Sequence, residues 1–159
     1  MNELVIVPGH AVYLGSNYLS AKDDTNWALE SYQLLEGEAK TFIEHMELGV
    51  KEVAKNPNAL LLFSGGKTKS DAGAISEASS YWQVSKAFDW FGVDVGVQSR
   101  VFTEEHARDG FENLFFSVNR FYELTQRFPR KITIVGFRAK RERFEKLHLN
   151  AIAYPEANF

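Results

Sequence analysis

Four short stretches gather the glycine, hydroxyl, imidazole and charged side chains that could handle a small anion. They are Pro8-Gly9-His10, Ser64-Gly65-Gly66-Lys67-Thr68-Lys69, Glu104-Glu105-His106-Ala107-Arg108-Asp109, and Gly136-Phe137-Arg138-Ala139-Lys140-Arg141. In the second stretch two glycines let the backbone bend and come close to a ligand. Ser64 and Thr68 supply hydroxyls there, and Lys67 and Lys69 supply positive charge. The plain alternative is a strand-to-loop turn with solvated lysines. Neither the P-loop consensus nor the glycine-rich dinucleotide fingerprint occurs in this loop, so those two phosphate cradles are unsupported. Ser76 and Glu77 follow at a predicted helix start, where they either cap the helix or touch a ligand.

The third stretch concentrates acid. Glu104 and Glu105 close an apolar run, while Asp109, Glu112 and Asn113 share a helical face through spacings of three and four. Such a face could hold ribose hydroxyls, coordinate magnesium or supply a general base, or it could simply pair with Arg108 and complement the helix dipole. In the fourth stretch and just beyond it, Arg138, Lys140, Arg141, Arg143 and Lys146 form a basic run. Arg138 and Arg143 are the candidates to reach a bound phosphate or carboxylate, against the alternative of a solvated helix face. His10 and His106 fall at predicted strand ends, whereas His45 and His148 fall inside helices. No HxxxH or HxH spacing supports a metal site, and no Gly-x-Ser-x-Gly elbow supports a serine nucleophile.

Buried strands and helices must position these loops. Short apolar runs at Leu4-Val5-Ile6-Val7, Leu60-Leu61-Leu62-Phe63, Val97 to Phe102 and Ile132-Thr133-Ile134-Val135 alternate with helical periodicities, with a fifth run at Ala151-Ile152-Ala153-Tyr154. Such alternation predicts a parallel sheet with crossover helices, whose ligands bind beyond the carboxyl ends of the strands. Leu35, Ala39, Phe42, Ile43, Met46, Val50 and Val53 mark the first helix. Ile75, Ala78, Trp82 and Phe88 mark a second that ends near Gly92, and Phe111, Leu114, Phe115, Val118, Phe121 and Tyr122 mark a third. A shorter fourth carries Phe144 and Leu147. From Gly15 to Glu30 the chain is polar and without period, a long loop that Trp27 can anchor.

Composition narrows the function classes. The chain of 159 residues fits one domain, and 18 Lys and Arg against 21 Asp and Glu give a net charge of -3, so nucleic acid is not an expected partner. The absence of cysteine excludes a disulfide framework, a thiolate metal site and a cysteine nucleophile. No apolar run approaches the roughly 18 residues of a membrane span. The N-terminus reads as a strand rather than a signal peptide, which mildly favours a cytoplasmic location.

Taken in order, Ser64-Gly65-Gly66, Ser76-Glu77-Ala78, the Glu104 to Asn113 cluster and Val135-Gly136-Phe137 leading to Arg143 resemble the SanA/ElyC/YdcF-like family of poorly characterised α/β domains. The likeness to its eukaryotic branch also takes in His10, Trp27, Tyr32-Gln33, Arg143-Phe144 and Leu147-His148, and so covers nearly the whole chain. The resemblance implies a three-layer Rossmann-like sandwich with a pocket at the strand ends. In that family one bacterial branch is associated with S-adenosylmethionine and other members with envelope integrity. Gly65, Gly66, Ser76, Glu77, Glu104, Asp109, Glu112, Asn113 and Arg143 are the positions that carry over. Gly110 departs from a usual hydroxyl residue and Lys140 from a histidine common in bacterial relatives, while eukaryotic relatives tend to continue past Phe159.

The expectation is therefore one α/β domain over residues 1–159, with a mostly parallel sheet of about five strands, binding a small anionic or nucleotide-like ligand. As an enzyme on a phosphorylated or nucleotide substrate it would use Lys67, Thr68 and Arg143 to hold charge, and Glu104 or Glu112 as base or magnesium ligand. Alternatively it is a non-catalytic module for S-adenosylmethionine or a nucleoside, with Asp109 or Glu112 on the ribose. A third reading is an interaction scaffold using exposed aromatics.

Overall fold

A computed structural model of the chain describes residues 1–33 and 37–159. Strand β1 (Glu3–Pro8) leads into a small antiparallel ribbon of β2 (Val12–Tyr13) and β3 (Trp27–Ala28), then helix α1 (Glu38–Lys55). Next come β4 (Ala59–Ser64), α2 (Glu77–Ala87), β5 (Val101–Glu104), α3 (Gly110–Thr125) and β6 (Lys131–Ile134). A last helical segment runs through Arg141–Arg143, a π-helical turn Phe144–His148 and Leu149–Ala151. The main sheet has the order β5-β4-β1-β6 with every pair parallel.

Strand side chains alternate between faces, which explains why the apolar runs lack polar residues. Val5, Val7, Leu61 and Phe63 pack under Phe42, Met46 and Val50 of α1 and Ala78, Tyr81 and Val84 of α2. Leu4, Ile6, Leu60, Leu62 and Ile132 pack on the opposite face against Leu114 and Phe121 of α3 and Phe144 and Leu149 of the last segment. Helices thus cover both faces, and the architecture is the parallel α/β plan expected from the alternation, in the Rossmann-like sandwich form that the resemblance implies. Among the described residues, no helix is long and apolar enough to cross a membrane.

Among the described residues the main sheet has four strands rather than five. Ala151 to Tyr154 instead finish the last helical segment, with Ala153 at φ +53° turning the chain. A four-residue apolar run cannot by itself distinguish a buried strand from the packed end of a helix. The third run also starts later than the pattern implies. Val95–Arg100 is 3₁₀-helical, and Arg100 turns its guanidinium onto the carbonyls of Val53, Asn56 and Ala59, at 2.8, 2.8 and 2.9 Å. It thereby ties the C-terminal end of α1 to the start of β4, where a cation also suits the negative end of the helix dipole.

Helix α2 stops at Ala87, short of Gly92, because Asp89, Trp90 and Phe91 take positive φ. That backbone is costly for side chains of this size, and the buried Trp90 packed edge-on to Trp82 compensates. Leu35 lies outside the described residues. From the polar loop, the Asp24 carboxylate accepts from the amides of Gly37 at 3.0 Å and Ala39 at 2.8 Å, capping the start of α1 from a distance. Trp27 anchors that loop: it is buried among Tyr13, Phe42 and Tyr81 and donates its indole N–H to the Ala21 carbonyl at 2.7 Å. Trp27→Ala is expected to cost about 3 to 5 kcal/mol by leaving a large cavity, measured as a lowered midpoint in urea unfolding.

Candidate functional site

From β1 the chain steps through α1 to β4 and on to β5, then crosses back by α3 to β6 on the other side of β1. The carboxyl ends of β1 and β6 therefore flank the point where the winding reverses, which is where open α/β sheets leave a crevice. A cavity of about 780 Å³ opens there, a size suited to a small organic ligand. Gly9 and His10 from the end of β1, Thr68 and Lys69 from the loop after β4, and Glu77 from the start of α2 line one part of it. Asp109 and Asn113 of α3, with Phe137, Arg138 and Lys140 after β6, line another.

The glycine loop fixes Glu77. The Gly65 amide donates to the Glu104 carbonyl at 2.9 Å and the Gly66 amide to the Ala107 carbonyl at 2.7 Å. Their own carbonyls accept from Ala78 and Glu77. The loop thus ties the start of α2 to the end of β5, and its amides serve that joint rather than an anion as expected. A Cβ on Gly9 would meet the Glu77 Cβ at 2.6 Å, and one on Gly65 would meet Glu77 Oε2 at 2.5 Å. Both glycines are needed because the Glu77 side chain lies against their backbones. Ser76 caps α2 by accepting from the Ser79 amide and donates to Glu105 at 2.8 Å, which is the capping role and not ligand contact.

Glu77 is 8% exposed, faces the cavity and accepts a 2.7 Å bond from the Thr68 hydroxyl. Burial raises its pKa. The Thr68 bond and the charges of Lys69 and Lys140 pull the other way, and Glu30 adds to the rise.

The two carboxylates expected to act as base are both committed elsewhere. Glu104 is buried, accepts from the Ser64 hydroxyl at 2.5 Å and from the amides of His106 and Ala107, and does not line the cavity. Asn113 completes this interior network by donating to the Ser64 carbonyl and hydroxyl at 3.1 and 3.0 Å. Ser64 is fully buried, so it too is a structural group. Glu112 is clamped by Arg108, through the guanidinium at 2.7 and 3.1 Å and the backbone amide at 2.7 Å. The side-chain bond foremost among these holds its carboxyl below the usual range. Asp109 caps α3 through the Glu112 amide while still lining the cavity.

Among the predicted basic groups, Arg138 lines the cavity, whereas Arg143 and the exposed Lys67 do not. Lys69 and Lys140 line it in their place. The charge of Arg143 is felt there only indirectly: Lys140 has its pKa lowered by loss of solvent and then by Arg143, with Glu77 opposing. Residues several positions past a strand cannot be placed on one wall or another by spacing alone, so the sequence offered no means to prefer Lys140 over Arg143. Gln33 is a further group that pattern alone did not mark. It is buried, donates to the His10 carbonyl at 3.0 Å and accepts from the Glu30 amide at 2.8 Å.

His10 lies between Phe137 and Phe42, with ring centroids 4.7 and 6.0 Å away, and its buried Nε2 lacks a hydrogen-bond partner. Burial first, then the charges of Lys140 and His45, push its pKa down to about 3. It is therefore a neutral imidazole at the cavity wall. Among the described residues, no group of three or more His, Asp or Glu is arranged to hold a metal ion.

Comparison with known proteins gives a narrow result. No protein-family model and no solved structure matches the chain. An uncharacterised protein of Saccharomyces cerevisiae is 31% identical over 196 aligned positions, which take in 98% of this chain. This chain spans 65% of that relative's length.

Two measurements test the construction of the site. Gly66→Ala would place a Cβ 2.9 Å from the Ala107 carbonyl, a backbone atom that cannot step aside. It is expected to destabilise the chain by about 1 to 3 kcal/mol in denaturant melts. His10 is neutral in the fold but ordinarily protonates near 6.5 when unfolded, so its contribution is complete above pH 6.5 and is lost as pH falls toward 3. Replacing it by Phe should flatten the stability profile between those two pH values. His45, also depressed by burial, remains to give a smaller slope of the same sign.

Proposed function

We propose that the cavity binds a small anionic, nucleotide-like molecule and that Glu77 is its proton-transfer group. The observation that carries this reading is one buried carboxyl, bonded to Thr68, opening into a 780 Å³ cavity that also receives the cations Lys69, Arg138 and Lys140. Arg138 and Lys140 are the anchors for a phosphate or carboxylate, since the cavity's other arginines, Arg108 and Arg141, are paired with Glu112 and Glu145. A carboxyl whose pKa is raised keeps its proton to higher pH, which suits it to protonate the leaving oxygen as the P–O bond of a phosphate ester breaks and to recover a proton from the water that attacks phosphorus. Glu77 thereby takes the role first assigned to Glu104 or Glu112. Asp109, which also lines the cavity, would accept from ribose or sugar hydroxyls. Magnesium, if used, would arrive with the ligand's own phosphates. The order of Ser64-Gly65-Gly66, Ser76-Glu77 and Glu104 to Asn113 supports membership of the SanA/ElyC/YdcF-like family.

The test is a thermal-shift panel of nucleotides, sugar phosphates and S-adenosylmethionine, each with and without magnesium. A true ligand at a hundredfold excess over its Kd adds about 2.7 kcal/mol, a rise of roughly 5 to 10 °C for a chain of this size. Arg138→Ala combined with Lys140→Ala should remove the shift. Glu77→Gln should keep the shift while abolishing conversion of whichever panel compound the wild type turns over. A panel in which no compound raises the midpoint defeats the reading.

A further inference from the structure

Another of the cavity's cations, Lys69, is ion-paired to Glu30, a residue 39 positions earlier that also lines the cavity. The two partners differ in their surroundings. The Lys69 side chain is 14% exposed, whereas that of Glu30 is 49% exposed. The ammonium is therefore the enclosed partner, and the carboxylate reaches in from the rim. The backbone that carries Glu30 is held independently of this pair. Its amide donates to Gln33 Oε1, and Gln33 Nε2 donates to the His10 carbonyl at the end of β1. The Glu30 carboxylate can leave Lys69 without the segment coming loose.

We infer that Lys69 is an anion subsite of this cavity and that the Glu30 carboxylate occupies it as an internal surrogate, which an incoming phosphate group displaces. The inference rests on the reading that the cavity takes an anionic ligand, and it adds which cation takes the phosphate and what guards it. The chemistry favours exchange. A half-exposed carboxylate gains little from an ion pair because water competes for it. A phosphate monoester brings up to two charges and three acceptor oxygens to the same ammonium. Glu77 shares the neighbourhood, since the charges of both Lys69 and Glu30 act on it. A phosphate dianion in place of the Glu30 carboxylate therefore brings more negative charge beside Glu77, which favours the protonated form of the proton-transfer group. Glu30 neutralises Lys69 and sets a threshold: weak monoanions fail to dislodge it, and multiply charged oxyanions succeed.

The experiment is calorimetric titration of the full chain with inorganic phosphate, comparing the wild type with Glu30→Gln, Lys69→Gln and the double variant. Glu30→Gln is expected to bind phosphate about tenfold more tightly than the wild type. Lys69→Gln is expected to bind at least tenfold more weakly, and adding Glu30→Gln to it should bring no further gain. Acetate, a monoanion, should bind Glu30→Gln better than it binds the wild type but stay weaker than phosphate on both. If the wild type binds phosphate and Glu30→Gln binds it no more tightly, the surrogate is overturned while the anion-binding reading stands. An equal gain in the Lys69→Gln background also overturns it, because general relief of negative charge would then be the cause. Binding by neither the wild type nor Glu30→Gln overturns both. Should circular dichroism show Glu30→Gln unfolded, Glu30→Asp, which withdraws the carboxylate by one methylene, replaces it with the same direction expected.

Discussion

The site depends on one packing constraint: a glutamate side chain pressed between two stretches of backbone that carry no side chains. Glu77 can sit where β1 and β4 end only because Gly9 and Gly65 leave room for its Cβ and carboxylate. The same contact holds the start of α2 against the sheet, since the amides of Glu77 and Ala78 close onto Gly66 and Gly65. Burying a carboxyl is unfavourable unless it is hydrogen-bonded and has cations nearby. The Thr68 hydroxyl and the lysines of the cavity meet that requirement.

Around this contact the molecule separates two uses of acid. Glu104 and Glu112 are saturated by hydrogen bonds and by Arg108, and they make the loop between β5 and α3 rigid. Glu77 keeps one face toward the cavity and a perturbed proton affinity. The Ser64, Glu104 and Asn113 network matters to the site indirectly. It locks the ends of β4 and β5 to α3, so the loops that line the cavity rise from a stiff base. After β6 the chain contributes Arg138 and Lys140 from a single 3₁₀ turn, Arg138–Lys140, that leads into the last helical segment.

The polar stretch between β1 and α1 illustrates where spacing loses its power. Its lack of period correctly marks it as outside the regular layers, and Trp27 does anchor it. Its other duties are long-range: Asp24 caps α1, Gln33 grips the His10 carbonyl and Glu30 reaches Lys69. Each of these is a single side chain meeting a partner brought close by the fold, and no periodicity records such a meeting.

The sequence by itself determined the layered parallel α/β plan and the identity of the four loops at the strand ends, and it offered the capping of α2 by Ser76 as one of two readings. These follow from local propensities and from a hydrophobic alternation that must match burial on both faces of a sheet. It also placed His10, Thr68, Glu77, Asp109, Asn113 and Arg138 among the candidates that the cavity brings together. Only the tertiary structure decided that Glu77, rather than Glu104 or Glu112, is the buried carboxyl that opens into the cavity, and that Lys69 and Lys140 replace Lys67 and Arg143 there. The reason is physical. A charged side chain's role depends on which partner reaches it first and how much water it keeps, and the packing of distant segments sets both.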